Sequence, residues 1–234
     1  MYFSLITPAP GKERDAAFQW AQGPYADHQW LWQFFKAEPG TPRDFLFRRR
    51  DGENSAPGFY VVSSRQPEPM GDAWQVQSRR YEPQLHTGQR LAFTLRANPV
   101  ISIADNGKSR RNDVVMHEKK QLLRERGFSR WSDWPESDPD KPLLYELVQQ
   151  TCSTWLEKRA EQCGFQLVNG EAGKPLRVDG YQQHRGGKKD IRFTTVDFEG
   201  ELEVISPEKF RMTLWKGIGH AKAFGCGLLL VRPA

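Results

Sequence analysis

The side chains best suited to proton chemistry sit close together near the start of the chain: Tyr25 and His28, in the stretch PYADHQWLWQFF at residues 24–35. Histidine takes up and releases a proton near neutral pH, and a phenol three residues earlier projects from the same side of a helix. Pro24 favours the first turn of such a helix. Free N–H groups and the positive dipole at a helix start attract phosphate and disfavour an imidazolium, which would leave a neutral base beside a bound anion. An ordinary core helix merely flanked by Tyr25 and His28 fits the same spacing. On a wheel of about 100° per residue, Trp30, Leu31, Phe34 and Phe35 form one arc and Gln29, Gln33 and Lys36 the opposite face. His28 falls on the boundary beside Trp32, a position that can reach solvent.

Two further stretches can contact a polyanion. In KGIGHAKAFGCGLLLV, residues 216–231, Gly217, Gly219, Gly225 and Gly227 bracket a helix end and lead into a strand. Glycines permit positive φ and close backbone approach, either to another chain segment or to a phosphate. Their order is not that of a P-loop, and the strand-to-helix context of a dinucleotide fingerprint is missing. In KPLRVDGYQQHRGGKKDIR, residues 174–192, six Lys or Arg stand against two Asp. The Gly-Gly turn puts Arg185, Lys188, Lys189 and Arg192 near the tip of a β-hairpin, a shape that can enter a nucleic-acid groove or grip phosphates. Arg43, Arg48, Arg49 and Arg50 form a second cluster, and Arg110 and Arg111 a third. Any one such cluster is commonly a solvated face; three together favour RNA.

Other chemistries lack a signature. No spaced Asp and Glu cluster suits a two-metal nuclease, and no Ser-His-Asp order suits acyl transfer. His86, His117, His184 and His220 read as surface or structural. Cys152, Cys163 and Cys226 are an odd number without metal-ligand spacing, so reduced, buried thiols are expected, with no metal and no cofactor.

The elements that must position these residues can be read in order. YFSLIT at 2–7 is a strand, PAPG a loop, and a helix runs from near Pro24 to Lys36. DFLFRRR and GFYVVSS form a hairpin, followed by strands in AWQVQSRRY and RLAFTLRANPVISI, with Pro99 at a strand end or bulge. A second helix expected before the last of these strands is weak or missing. Residues 1–110 thus read as an N-terminal unit, β-α-β-β-x-β. The polar, charged segment 105–141 holds at most a short helix around VVMHEKKQLLRERG, so 111–141 reads as a connection. Residues 142–234 then give α-β-β-β-α-β, with helices at about 142–162 and at 207–216, the latter opening on Pro207. Two such halves indicate an α+β protein of tandem ferredoxin-like, RRM-like units, each an antiparallel sheet with helices on one face.

The bulk numbers agree with a folded, two-unit chain: 234 residues, 38% hydrophobic, with 8 Trp and 14 Phe. A net charge of +5 is compatible with a polyanionic partner. No apolar run approaches the roughly 18 residues of a membrane span, and the start lacks a signal-peptide pattern, so a cytoplasmic protein without membrane contact is expected.

The motifs taken together resemble a known family, the CRISPR-associated repeat-cleaving endoribonucleases of type I-E Cascade systems, the CasE family. The resemblance lies in Tyr25-x-x-His28-Gln29-x-Leu31-Trp32, RDFLF at 43–47, LRANP at 95–99, VDFEG at 196–200 and GIGHAKAFGCGLL at 217–229. It implies two ferredoxin-like domains and metal-independent cleavage of precursor CRISPR RNA beside the repeat stem-loop. It also implies attack by a ribose 2′-OH that leaves a 2′,3′-cyclic phosphate, with His28 and Tyr25 as the catalytic pair. Binding would come from the basic hairpin, with Lys222 near the glycine-rich loop. The product guide RNA would stay bound and the protein would act as a subunit beside other Cascade proteins. Two other readings are a non-catalytic RNA-hairpin-binding module and an architectural subunit.

Overall fold

A computed structural model of the chain describes residues 1–20, 24–36, 38, 40–50, 58–105, 108–168, 173–186 and 191–234. In the first half, β1 (Tyr2–Pro8) is followed by α1 (Glu13–Gln19), α2 (Pro24–Leu31) and a 3-10 turn at Trp32–Phe34. Then come β2 (Phe45–Arg50), β3 (Gly58–Ser63) and β4 (Trp74–Arg80). The four strands form an antiparallel sheet in the order β2-β3-β1-β4, the ferredoxin-like order. Residues 64–73 hold no helix. Pro67 and Pro69 remove backbone donors there and Gly71 takes φ +72°, so the chain crosses from β3 to β4 as a loop. Helix α1 departs from the sequence reading, which placed no helix between the PAPG loop and Pro24; one buried residue, Ala16, anchors it.

The second half begins earlier than the sequence suggested. Strand β5 (Arg90–Ala97) lies within the segment assigned to the N-terminal unit, yet it pairs with β10 and β11. The chain breaks at Asn98 and Pro99, where the buried Asn98 side-chain amide donates to the Thr194 carbonyl at 2.7 Å. Beyond that break, β6 (Val100–Asp105) and β7 (Lys108–Asp113) form a separate hairpin, and α3 (Val114–Arg126) follows. The segment expected to be mostly connection is therefore built: Asp113 caps α3 by accepting from the Met116 amide at 2.8 Å, and Gly127 ends it at φ +75°. Helix α4 (Leu144–Ala160), β8 (Phe165–Leu167), β9 (Arg177–Gly186), β10 (Ile191–Val204), α5 (Pro207–Lys216) and β11 (Leu229–Pro233) complete the chain. The sheet order is β11-β5-β10-β8, with β9 also on β10. With β5 as its first strand, the second half repeats the ferredoxin-like order of the first.

Packing explains why the strands read as they do. Trp30, Phe34, Phe47, Phe59, Val61 and Trp74 form the core between the first sheet and its helices, and Trp155, Leu156, Phe198, Leu202, Phe210 and Leu214 do the same in the second. A third cluster, Leu46, Val62 and Leu228 with Phe3, Tyr60 and Trp215 against it, joins the other face of the first sheet to the end of the chain. The first half of β2, Phe45–Phe47, and most of β3 are consequently buried on both faces rather than alternating.

Candidate active site

Helix α2 ends at Leu31, short of the Lys36 end read from the sequence, but the 3-10 turn at Trp32–Phe34 continues the pattern of buried and exposed residues. Trp30, Leu31, Phe34 and Phe35 are buried, and Gln29, Gln33 and Lys36 are exposed. The Trp30 ring packs on Trp74 and Phe34 with centroids 4.4 and 4.9 Å apart. Asp27, buried in the first turn, accepts the Trp20 indole N–H at 2.7 Å and so ties the end of α1 to α2. His28 lies on the boundary, half-buried. Its ring stacks on Phe45 with centroids 5.9 Å apart and meets Trp32 edge-on at 6.3 Å. Phe45 is itself stacked flat on Phe35 at 4.7 Å, so the imidazole rests on a rigid aromatic wall. Tyr25 occupies the first turn of the same helix, one turn before His28; its side chain lies outside those described.

His28 is tuned toward the neutral form. Burial lowers its pKa from the ordinary imidazole value, and the guanidinium of Arg43 lowers it further. Burial and Arg43 thus act in the same direction as the helix start expected from the sequence. The His28 Nε2 and the Arg43 Nη1 are both buried, and neither has a protein hydrogen-bond partner among the described residues.

The glycine-rich loop closes the site from the other half of the chain. The turn Lys222–Phe224 packs against α2 and β2. It is held by backbone bonds, with the Ile218 amide donating to Gly227 O at 2.9 Å and the Gly227 amide to Arg96 O at 2.7 Å. A Cβ on Gly217 would sit 2.6 Å from the Gly227 carbonyl oxygen, and one on Gly225 3.3 Å from the Phe47 ring. Of the two readings left open for these glycines, close approach of chain segments accounts for Gly217, Gly219, Gly225 and Gly227, since a Cβ on Gly219 would sit 3.2 Å from the Trp155 ring and one on Gly227 2.8 Å from the Ile218 carbonyl oxygen. This close packing places the turn that carries Lys222 against α2. Burial lowers the Lys222 pKa, and Arg43 lowers it further, so Arg43 lies electrostatically between His28 and Lys222. Lys222 Nζ also donates to Lys216 O at 2.6 Å.

Known proteins match nearly the whole chain. A family model described as CRISPR associated protein matches residues 1–233. The chain is 30% identical over 217 residues to the Cascade subunit CasE of Escherichia coli K12, an alignment covering 92% of this chain and 94% of that one. The chain belongs to the CasE family. Its fold superposes with a TM-score of 0.68 on Thermus thermophilus Cse3 bound to an RNA representing a pre-cleavage complex, at 27% identity over 99% of this chain and 98% of that one. A second structure, the CRISPR endoribonuclease Cse3 bound to 19 nt RNA, matches at 26% identity and TM-score 0.67 over the whole of both chains.

The basic residues of this CasE-family chain divide into separate jobs. The run at 48–50 is not one patch with Arg43: Arg48 donates to Thr94 Oγ1 at 3.0 Å and lies 3.6 Å from Asp197, joining the two sheets, while Arg49 stacks over Trp20 at 4.3 Å. On the β9–β10 hairpin, Arg185 and Arg192 are cross-strand partners and both exposed. The next residues along, His184 and Phe193, stack at 4.7 Å, and Phe193 stacks at 4.5 Å on Phe224, fastening the hairpin to the loop that carries Lys222. Lys188 and Lys189 lie outside the described residues. Arg110 and Arg111, adjacent on β7, point to different places. Arg110 lines a groove of about 310 Å³ with His117, Lys120 and Arg124, whereas the charge of Arg111 reaches His220, whose pKa is lowered first by burial and then by Arg111, Lys222 and Arg159. The sequence reading did not single out Lys120 and Arg124, which line the same groove as Arg110; the basic run MHEKKQLLRER at 116–126 was their visible signal. Among the described residues no group of three or more His, Cys, Asp or Glu gathers as a metal site, and no helix is long and apolar enough to cross a membrane.

Proposed function

We propose that this protein is an endoribonuclease that binds the stem-loop of CRISPR repeats in precursor RNA and cuts beside it without a metal ion, then stays on the guide RNA as a Cascade subunit. The observation that carries the reading is His28: a half-buried imidazole whose pKa is lowered by burial and by Arg43, whose Nε2 has no protein partner among the described residues, on the helix against which the Lys222–Phe224 turn packs, in a CasE-family fold whose relatives include a Cascade subunit and an endoribonuclease bound to RNA.

In the step this site supports, the ribose 2′-oxygen forms a bond to the adjacent phosphorus and the bond from phosphorus to the 5′-oxygen of the next nucleotide breaks. His28 accepts the 2′-OH proton or supplies one to the leaving oxygen, and Tyr25, one turn earlier, orients the sugar. The upstream product ends in a 2′,3′-cyclic phosphate. A positioned acid or base contributes about 10² to 10⁴ in rate, and in-line placement of the 2′-OH adds to it. Binding falls to Arg185, Lys188, Lys189 and Arg192 on one hairpin and to Arg110 and Arg111 on the other, where they grip the phosphates of an A-form stem.

The test is incubation of the protein and His28→Ala with labelled repeat RNA in EDTA, alongside a copy carrying 2′-deoxy at the cleaved nucleotide. Site-specific cutting by the wild type, lost by about 10² or more in His28→Ala and absent on the deoxy RNA, with hairpin affinity retained, is the expected result. Tight hairpin binding with no cutting by either protein would return His28 to a structural role and leave an RNA-binding module.

A further inference from the structure

Proton transfer by His28 leaves the phosphate charge unanswered. Attack by the 2′-oxygen turns a singly charged phosphodiester into a phosphorane carrying more negative charge on its non-bridging oxygens, and fixed donors aimed at that charge commonly supply a large part of catalysis. We propose that Arg43 is a catalytic residue of this centre, its guanidinium holding a non-bridging oxygen of the scissile phosphate, with Lys222 as the second cation on the same group. The inference rests on the endoribonuclease reading above and adds a residue to it.

Four observations single out Arg43. Its Nη1 is buried with no protein acceptor among the described residues, and buried donors of this kind normally have one. The adjacent carboxylate cannot neutralise it, because Asp44 is already gripped by Arg65 through two bonds of 2.8 Å and also accepts from Ser64. The neighbouring arginines Arg48 and Arg49 are committed to Thr94, Asp197 and Trp20. Finally, the groups within its field are His28 and Lys222, so like charges crowd here and an anion relieves the crowding. Phe45, stacked between Phe35 and His28, fixes the start of β2 and so holds Arg43 in register with the imidazole.

The experiment compares wild type, Arg43→Gln and Arg43→Lys in single-turnover cleavage at saturating protein, with affinity measured on the 2′-deoxy repeat and folding checked by thermal melting. Arg43→Gln is expected to lose about 10² to 10³ in the cleavage rate constant while hairpin affinity changes less than about threefold, with Arg43→Lys in between. Replacing one non-bridging oxygen of the scissile phosphate by sulfur should slow the wild type more than Arg43→Gln. The His28 ring, followed by NMR, should titrate at higher pH in Arg43→Gln, since a neighbouring cation has gone. An unchanged saturated rate with weakened binding would make Arg43 a mere RNA contact, and an equal sulfur effect in both proteins would overturn the phosphate contact. A wild type that binds but never cuts would instead overturn the underlying function and this assignment with it. Should Arg43→Gln fail to fold, the rate and sulfur effect of Arg43→Lys decide the matter.

Discussion

The cations around His28 and those on the two hairpins are the same residue types doing different physical work. Arg43 and Lys222 are partly buried, lie close to one another, and lower the pKa of their neighbours. Arg110, Arg111, Arg185 and Arg192 are exposed on β-ribbons. Desolvated charge acts strongly at short range and can tune a proton donor or a phosphate, whereas solvated charge acts mainly by displacing counterions. Composition counts both kinds alike; burial separates them.

If the buried cluster depends on chain segments in close contact, the largest effect should come from the loop that delivers Lys222. Gly217→Ala places a Cβ 2.6 Å from the Gly227 carbonyl oxygen at a backbone φ of +72°. We expect a loss of about 3 kcal/mol or more in stability and a matching fall in cleavage. Gly71→Ala, at the same φ but with nothing within 4 Å, should cost only about 1 kcal/mol. Thermal melts of the two variants test this, and equal losses would mean that the loop is not held by close packing.

The exposed cations should behave in the opposite way. Arg185→Ala is expected to weaken repeat binding moderately and reduce the dependence of log K on log salt by about one, with the cleavage rate of bound RNA unchanged. A fall in rate at saturation would show that the hairpin shares in the chemistry, a connection that the His184, Phe193 and Phe224 stack would transmit.

The smallest expected effect concerns pH. His28, His184 and His220 all have pKa values lowered from 6.5, first by burial. Below about pH 6.5 the unfolded chain therefore binds more protons than the folded one, so stability falls as pH drops from 7.5 to 5 and is fully present above the unfolded value. His28→Gln should flatten this decline in melting temperature without abolishing it. An unchanged slope would mean that His28 is not desolvated in the folded protein.

Much of the architecture was legible in local pattern. The helix at Pro207–Lys216 coincides with its sequence expectation, and the arcs of α2, including the boundary place of His28, follow from its periodicity. The missing second helix of the N-terminal unit was visible in its prolines. The short helix read around VVMHEKKQLLRERG is α3, but strand β7 and the ordered build of the segment were not visible, because a polar, charged stretch carries little periodic signal and its order rests on a few anchors such as Val114, Val115 and the Asp113 cap.

By itself the sequence determined most of the helices and strands, the tandem ferredoxin-like class, and the family, because periodicity, turn residues and motifs are properties of neighbouring residues. Only the tertiary structure decided that β5 opens the second sheet, that Arg48 bridges the two sheets while the charge of Arg43 reaches His28, and that the turn carrying Lys222, nearly two hundred residues from His28, packs against α2. Strand partners and side-chain neighbours distant in sequence are set by which packing buries the most apolar surface with every backbone group paired, a property of the whole chain that no local window contains.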